Sequence, residues 1–253
     1  VISSHRDRLN LILLRQANAG PAAARNRGAQ QAQGRYLVFT DDDCEPDTGW
    51  LKAIEDSLAD ARGAVCGGRT VCNVAANLPE RATQLLVDYL YEHYNPMERP
   101  GAFYPTNNVT APRDGFLELG GFDETLRFGE DRDFCYRWQS QGLPFVYAPR
   151  AVVQHTHPLS FGALIGLHFR YGGGTYRFRR ASRRRGLKGV GFSSPSWYLG
   201  LIMHGVAKES GWRGVALSLL LATTQAASAA GLLWACLTTR PTRAKGKHEA
   251  LEL

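Results

Sequence analysis

Asp41, Asp42 and Asp43 stand together directly after the apolar run Tyr36 to Thr40. That run reads as a core strand, so the carboxylates fall at its C-terminal tip, where open α/β sheets bind their ligands. Packing supplies no reason to crowd like charge onto one turn. A divalent cation does, because hard cations prefer carboxylate oxygens and commonly hold substrate phosphates as well. Asp41 and Asp43 are placed to share one metal–diphosphate complex. A solvated acidic turn that caps the next helix is the plainer alternative. The strand in front and a second acidic site weigh against it.

That second site runs from Gly120 and Gly121 through Asp123 and Glu124 to Glu130, Asp131 and Asp133. Glu130 and Asp131 open a predicted helix with an apolar face of Phe134, Cys135 and Trp138 and a stop at Gly142. Acids in a first turn gain ~0.3–1 kcal/mol from the helix dipole, so stability alone could account for them. A carboxylate at the mouth of the sheet is also placed to take a proton from an attacking hydroxyl. The third feature is Gln154, His155, Thr156 and His157 at the end of another apolar run. Alternating side chains cannot both face one site. His155 follows the run directly and is the expected imidazole ligand, in preference to His157.

The elements that must position these residues alternate. Leu9 to Leu14 reads as a strand. Pro21 starts an Ala-rich helix that ends near Gly34, and the strand before the aspartates follows. Trp50, Leu51, Ile54 and Leu58 form the apolar stripe of a second helix, stopped by Gly63. Ala64 to Cys66 reads as a short strand and Pro79 to Tyr91 as a helix. Phe145 to Tyr147 and Ala151 to Val153 read as short strands separated by Pro149. The alternation predicts an α/β fold, with a mostly parallel, Rossmann-like sheet flanked by helices. The pattern gives way near His157 and Pro158. It predicts a catalytic unit over 1–158, a basic aromatic membrane-proximal region over 159–211, and a transmembrane helix with a basic tail over 212–253.

A chain of 253 residues can bury a sizeable core. Its five cysteines are scattered, with no CxxC pair, so neither a zinc site nor a disulfide framework is indicated, and a reducing cytoplasm is the natural compartment. The net charge of +7 owes much to Arg177, Arg179, Arg180, Arg183, Arg184, Arg185 and Lys188. Such a cluster suits nucleic acid, acidic polysaccharide or anionic lipid. The charge-free run Val215 to Leu237, with basic residues on both sides, is long enough to cross a bilayer and tips the choice to lipid. Anionic membrane lipid, not nucleic acid, is therefore the expected partner. Tyr171, Tyr176 and Phe178 are expected at headgroup level.

Taken together, these motifs resemble the family 2 glycosyltransferases of GT-A fold, over roughly residues 9–158. Asn18, Gly20, Ala24, Arg25, Asn26 and Gly28 are similar to the family's donor-side helix motif. Asp41 and Asp43 are similar to its DxD. Gly120 to Glu124 followed by Gly129, Glu130 and Asp131 are similar to its acceptor-side loop and ED motif, and His155 to its C-terminal metal histidine. The resemblance implies a sugar transferred, with inversion, from a nucleoside-diphosphate donor (UDP, GDP or TDP type) to a glycan or lipid-linked hydroxyl. Asp43 and His155 would hold Mn²⁺ or Mg²⁺, and Asp131 would be the base. Asp41, Arg25 and Asn26 would lie at the donor, and Glu130, Asn108 and Gly121 on the acceptor side.

Two departures shape this expectation. The family's first strand–helix–strand should precede Leu9, where only a short polar stretch stands, so the chain reads as N-terminally truncated. The QxxRW motif of processive synthases is missing, since Phe134 stands where Gln or Arg belongs before Arg137 and Trp138. That favours single addition. The segment His168 to Tyr176 resembles the membrane-proximal tail of bacterial members, which implies the cytoplasmic face of a bacterial membrane. A metal-dependent nucleotidyl or phosphoryl transferase, or a non-enzymatic membrane-surface module, are the alternatives from other classes. The first would need a Walker-type loop, and the second would keep its binding without the aspartates.

Overall fold

The structure is a computed structural model and describes residues 10–72, 77–95, 103–155, 158–187 and 191–239. Its centre is one five-stranded sheet in the order β1-β4-β3-β5-β2. The strands are β1 (Tyr36–Phe39), β2 (Cys44–Pro46), β3 (Val65–Val71), β4 (Val109–Pro112) and β5 (Phe145–His155). Only β3 and β5 run parallel, while β1/β4, β3/β4 and β2/β5 are antiparallel. The α/β class holds, but the sheet is mixed rather than mostly parallel. Alternation of strands and helices fixes layers, not strand direction.

The helices α1 (Pro21–Gln31), α2 (Trp50–Ala59), α4 (Arg113–Glu118) and α5 (Glu130–Ser140) cover the sheet on both faces. Successive strand residues point to opposite faces, and Val65 and Cys66 accordingly enter different cores. Val65 joins Leu37, Phe39 and Val109 beneath α1, α4 and α5, where Phe116, Phe122, Phe134 and Trp138 pack. Cys66 joins Ala148 and Val153 beneath Trp50, Ala53, Ile54 and Leu58 of α2. Leu51 was expected in that stripe but is exposed. At 100° per residue it falls beside the buried arc, and Ala53 takes its place.

Two sequence expectations change at the sheet. The two short strands around Pro149 are one strand, β5. Its register against β3 jumps from Gly68 opposite Ala148 to Arg69 opposite Val152, so Pro149 sits in a bulge where its missing N–H breaks no rung. The strand expected at Leu9 to Leu14 does not form over its described residues. Leu11, Ile12 and Leu13 are exposed and, among the described residues, no strand pairs with them, so no described ladder takes up their N–H and C=O groups. His157 and Lys188 lie outside the described residues.

Beyond the sheet, α3 (Leu78–Tyr94), α6 (Phe161–Arg184), α7 (Pro195–Lys208) and α8 (Gly211–Thr238) form a helical layer. Ala82 and Leu85 of α3 pack with Leu201 of α7 and Leu217 and Leu221 of α8. Further along, α8 lies against α6 at close range. A Cβ on Gly172 would fall 1.9 Å from the Ser228 carbonyl oxygen, and one on Gly231 would fall 1.9 Å from that of Phe169. Only glycine permits this approach. Phe178, expected at a membrane surface, is instead buried against Tyr136 and the Arg132 guanidinium.

Candidate active site

Asp41 to Asp43 follow β1 in a tight turn closed by the Cys44 N–H, which donates to the Asp41 carbonyl at 3.3 Å. The chain then enters β2, which pairs with the end of β5 so that Cys44 lies opposite His155. This register brings His155 Nε2 to 3.1 Å from Asp43 Oδ2, across 112 residues of sequence. Ligand atoms of Asp43, Cys44 and His155 all lie within 4.8 Å of one another. Sequence reasoning missed Cys44, although its adjacency to Asp43 was the available signal. Burial pushes its thiol up to about 11, with the Asp43 and Asp41 charges adding. It is therefore a neutral thiol at pH 7, not a thiolate. The effective donor set is one carboxylate and one imidazole, which fits Mn²⁺ or Mg²⁺ with positions left for phosphate oxygens.

Arg25 ties this strand tip to α5. Pro21 at the first turn starts α1, Ala22 and Ala29 bury one face, and Arg25 projects from the helix toward the site. Its Nη2 donates to Asp41 Oδ1 at 2.5 Å and its Nη1 to Glu130 Oε1 at 2.9 Å. One guanidinium thus holds the Asp41 and Glu130 carboxylates together.

Gly129, with φ of 84°, turns the chain into α5 and places Glu130, Asp131 and Asp133 in its first turn. Burial raises the Asp131 carboxyl above the usual aspartate range, against the Arg132 amide and the Arg25 and Arg132 charges. The Arg132 N–H donates to Asp131 Oδ1 at 2.7 Å. Burial also raises Glu130, and the Asp131 charge adds to the effect. An aspartate with a raised pKa is a better proton acceptor than an ordinary one, provided that it is ionised at working pH. Tyr171 of α6 was not anticipated here. It is 44% exposed overall, yet desolvation pushes its phenol up to about 12, and the charges of Asp131, Glu130 and Asp41 all reach it.

Three residues expected to touch substrate have other duties. The Asn26 amide is fully engaged by the glycine loop. Its Nδ2 donates to the Phe122 carbonyl and Glu124 Oε1, and its Oδ1 accepts the Phe122 N–H, each at 2.9 Å. These bonds tie Asn26 to the loop. Gly121 has φ of 66°, and a Cβ there would fall 2.5 Å from Asn26 Oδ1, so it is glycine in order to seat that asparagine. Asn108 is 1% exposed. It accepts from Trp50 Nε1 and donates to the Arg69 and Ala151 carbonyls, joining α2, β3 and β5.

The support beneath Asp131 was invisible in the sequence. Asp133 is fully buried and is held by Arg137 Nε at 2.8 Å and by Arg185. Arg185 also binds Asp123 of the loop. Arg137 donates in addition to the Leu119 and Gly121 carbonyls. One member of the basic cluster, Arg185 just after α6, is therefore a strut between the loop and α5.

Residues 1–117 match the family described as Glycosyl transferase family 2. A pre-mycofactocin glycosyltransferase of Mycobacterium tuberculosis is 31% identical over 160 residues, which is 61% of this chain and 34% of that protein. Glycosyltransferase AglE of Haloferax volcanii is 27% identical over 183 residues, 69% of this chain and 57% of that protein. The aligned part thus spans about a third of the first relative and little more than half of the second. Among solved structures, a mannosyltransferase from Pyrobaculum calidifontis, determined with GDP-Man and Mn²⁺, superposes with a TM-score of 0.57 at 16% identity, covering 92% of this chain and 72% of that one. That likeness establishes the shared fold. Residues 1–117, a little under half of the chain, thus match the family 2 glycosyltransferases, and the described residues share the GT-A fold of that solved structure.

Proposed function

We propose that this chain transfers a glycosyl group, with inversion, from a nucleoside-diphosphate sugar to an acceptor hydroxyl, one residue at a time. The observation that carries the proposal is the bridge from Asp43 and His155 at the strand tip, through Asp41 and Arg25, to Glu130 and Asp131 at the start of α5. A divalent cation bound by Asp43 and His155 would offset the negative charge that grows on the departing diphosphate. Asp131 takes the proton of the attacking hydroxyl as it approaches the sugar from the side opposite the leaving group. One base on one side supports single displacement. Arg25 keeps Asp41 and Glu130 in place, so the donor and acceptor halves share one geometry. Single addition is supported by the use made of Arg137 and Trp138. Both are occupied in the structure, Arg137 by Asp133 and two carbonyls, and Trp138 by the core.

Calorimetry tests the donor half directly. UDP or GDP should bind in the presence of Mn²⁺ or Mg²⁺ and lose at least about 10-fold in affinity with EDTA or in Asp43→Ala, since charge-assisted contacts of this kind are worth ~1.5–3 kcal/mol each. Nucleotide binding that is indifferent to both would refute the metal assignment.

A membrane reading rests on α8. It is the one described helix long and apolar enough to cross a bilayer, with mean hydropathy 1.5, and 22% of that stretch is buried. Its outer face presents Val215, Leu219, Leu233, Trp234 and Leu237, and α7 adds Leu199 and Met203. The opposite face is packed on α3, α6 and α7. A perpendicular α8 would carry the arginines of α6 into hydrocarbon at ~2.5–3.5 kcal/mol each. We infer that the layer lies along the cytoplasmic face of a bacterial membrane with its apolar side inward. The chain should sediment with membranes, resist a salt wash and come off in carbonate. Recovery in the soluble fraction at low salt would refute the attachment, and survival through carbonate would point to a span.

A further inference from the structure

A cavity of about 650 Å³ lies between the C-terminal half of α6 and the last turns of α8. Arg179, Arg180, Arg183 and Arg184 line one side, and Phe192 and Leu232 contribute apolar surface. No carboxylate stands among its described lining residues. Arg179 is held at two points. Its guanidinium lies over the Phe192 ring at 3.7 Å and its Nη2 donates to the Gly191 carbonyl at 2.8 Å. Its Nε is buried and finds no hydrogen-bond partner among the described residues. Burial, together with the charges of Arg132 and Arg183, disfavours the charged guanidinium. A buried donor without an acceptor, in a wall of like charge, is costly unless an anion completes it.

Guanidinium groups match phosphate oxygens in charge and geometry. The apolar half of the wall has no use for a free anion. Leu233, Trp234 and Leu237 continue that surface outward from Leu232 and are exposed. The cavity also lies on the acceptor side. Phe178, one residue before Arg179, packs on Arg132, the neighbour of Asp131. Along α6 the step from Tyr171, which the charges of these carboxylates reach, to Arg179 is ~12 Å. That leaves room for part of an acceptor between the phosphate and the reacting hydroxyl.

We propose that the arginine-lined cavity between α6 and α8 binds the phosphate or diphosphate of a lipid-linked acceptor. The proposal rests on the glycosyl-transfer reading and names its acceptor class. The test uses the full chain in detergent with EDTA present and farnesyl diphosphate as probe. Calorimetry should show one saturable site, with binding at least about 10-fold weaker for sodium pyrophosphate and for farnesol. Arg183→Gln, at an exposed position that leaves the fold intact, should weaken the probe by about 10-fold, Arg183→Lys by less, and Arg179→Gln by at least as much as Arg183→Gln. Asp43→Ala should not change it. This separates the cavity from the metal site, so failure of the donor assignment would leave this result standing. Equal binding by wild type and Arg183→Gln would overturn the proposal. So would pyrophosphate binding as tightly as the probe, which would mean a small-anion site. Displacement of the probe by vesicles of phosphatidylglycerol in phosphatidylcholine, at matched phosphate, would also overturn it, by assigning the arginines to bulk lipid.

Discussion

Asp131→Asn is expected to lower turnover by about 10²–10⁴-fold while leaving donor and metal binding near wild type, because only the proton acceptor is removed. The pH dependence gives the assignment a second, independent reading. Burial raises the Asp131 carboxyl. The base is active only when ionised, so the wild-type rate should fall as the pH drops through that raised value, with an acid limb above the ordinary aspartate value near ~3.9. The limb should vanish in Asp131→Asn. Stability runs the other way. A group that holds its proton more tightly when folded favours the fold at low pH, and loses that contribution as the pH rises through the folded value. Near neutral pH the asparagine variant should therefore melt no lower than wild type, and above it if the ionised carboxylate is a net burden. Near wild-type turnover, or an unmoved acid limb, would reject Asp131 as the base. A product of retained configuration would reject the single displacement.

Asp133→Ala should be the most destabilising single change near the site. It strips the buried partner from Arg137 and from Arg185 at once. Removing one member of a buried ion pair typically costs about 3–5 kcal/mol, since the remaining charge is left uncompensated. For a chain of this size that corresponds to a fall in melting temperature of roughly 6–20 °C. Arg185→Gln should cost less, because Arg137 still neutralises Asp133. Denaturant titration checks both. If Asp133→Ala loses under ~1 kcal/mol, α5 is held by its apolar face alone and the buried cluster is not its support.

The chemistry-bearing residues were legible in the sequence wherever type and position on an element sufficed. Asp43 and His155 could be named as a pair because both close apolar strands, and they do meet. The roles of Asn26, Asn108 and Gly121 were not legible. An amide's function depends on which carbonyls surround it, and those come from loops and strands distant in sequence. The same holds for Asp133 and Arg185, which read as dipole complement and solvated charge until the fold sets them against each other. Helix existence was legible from periodicity, down to the start of α1 at Pro21. Strand direction was not, because hydrophobic pattern is the same for either direction. The pair of strands around Pro149 was misread for a related reason. A proline interrupts a ladder locally, but a bulge lets the strand continue past it.

The β2–β5 rung that joins Cys44 to His155 has a consequence for the order of synthesis. Asp43 leaves the ribosome 112 residues ahead of His155. At ~5–20 residues per second that is an interval of about 6–22 s. During it β2 has no partner strand, and β3 can be flanked only on the side that β4 will take, since β5 closes both remaining edges. The nascent chain therefore carries open, hydrogen-bonding edges until its last strand appears. The same event that completes the metal pair also shuts those edges. Metal-competent protein and aggregation-resistant protein should emerge together, from one late step.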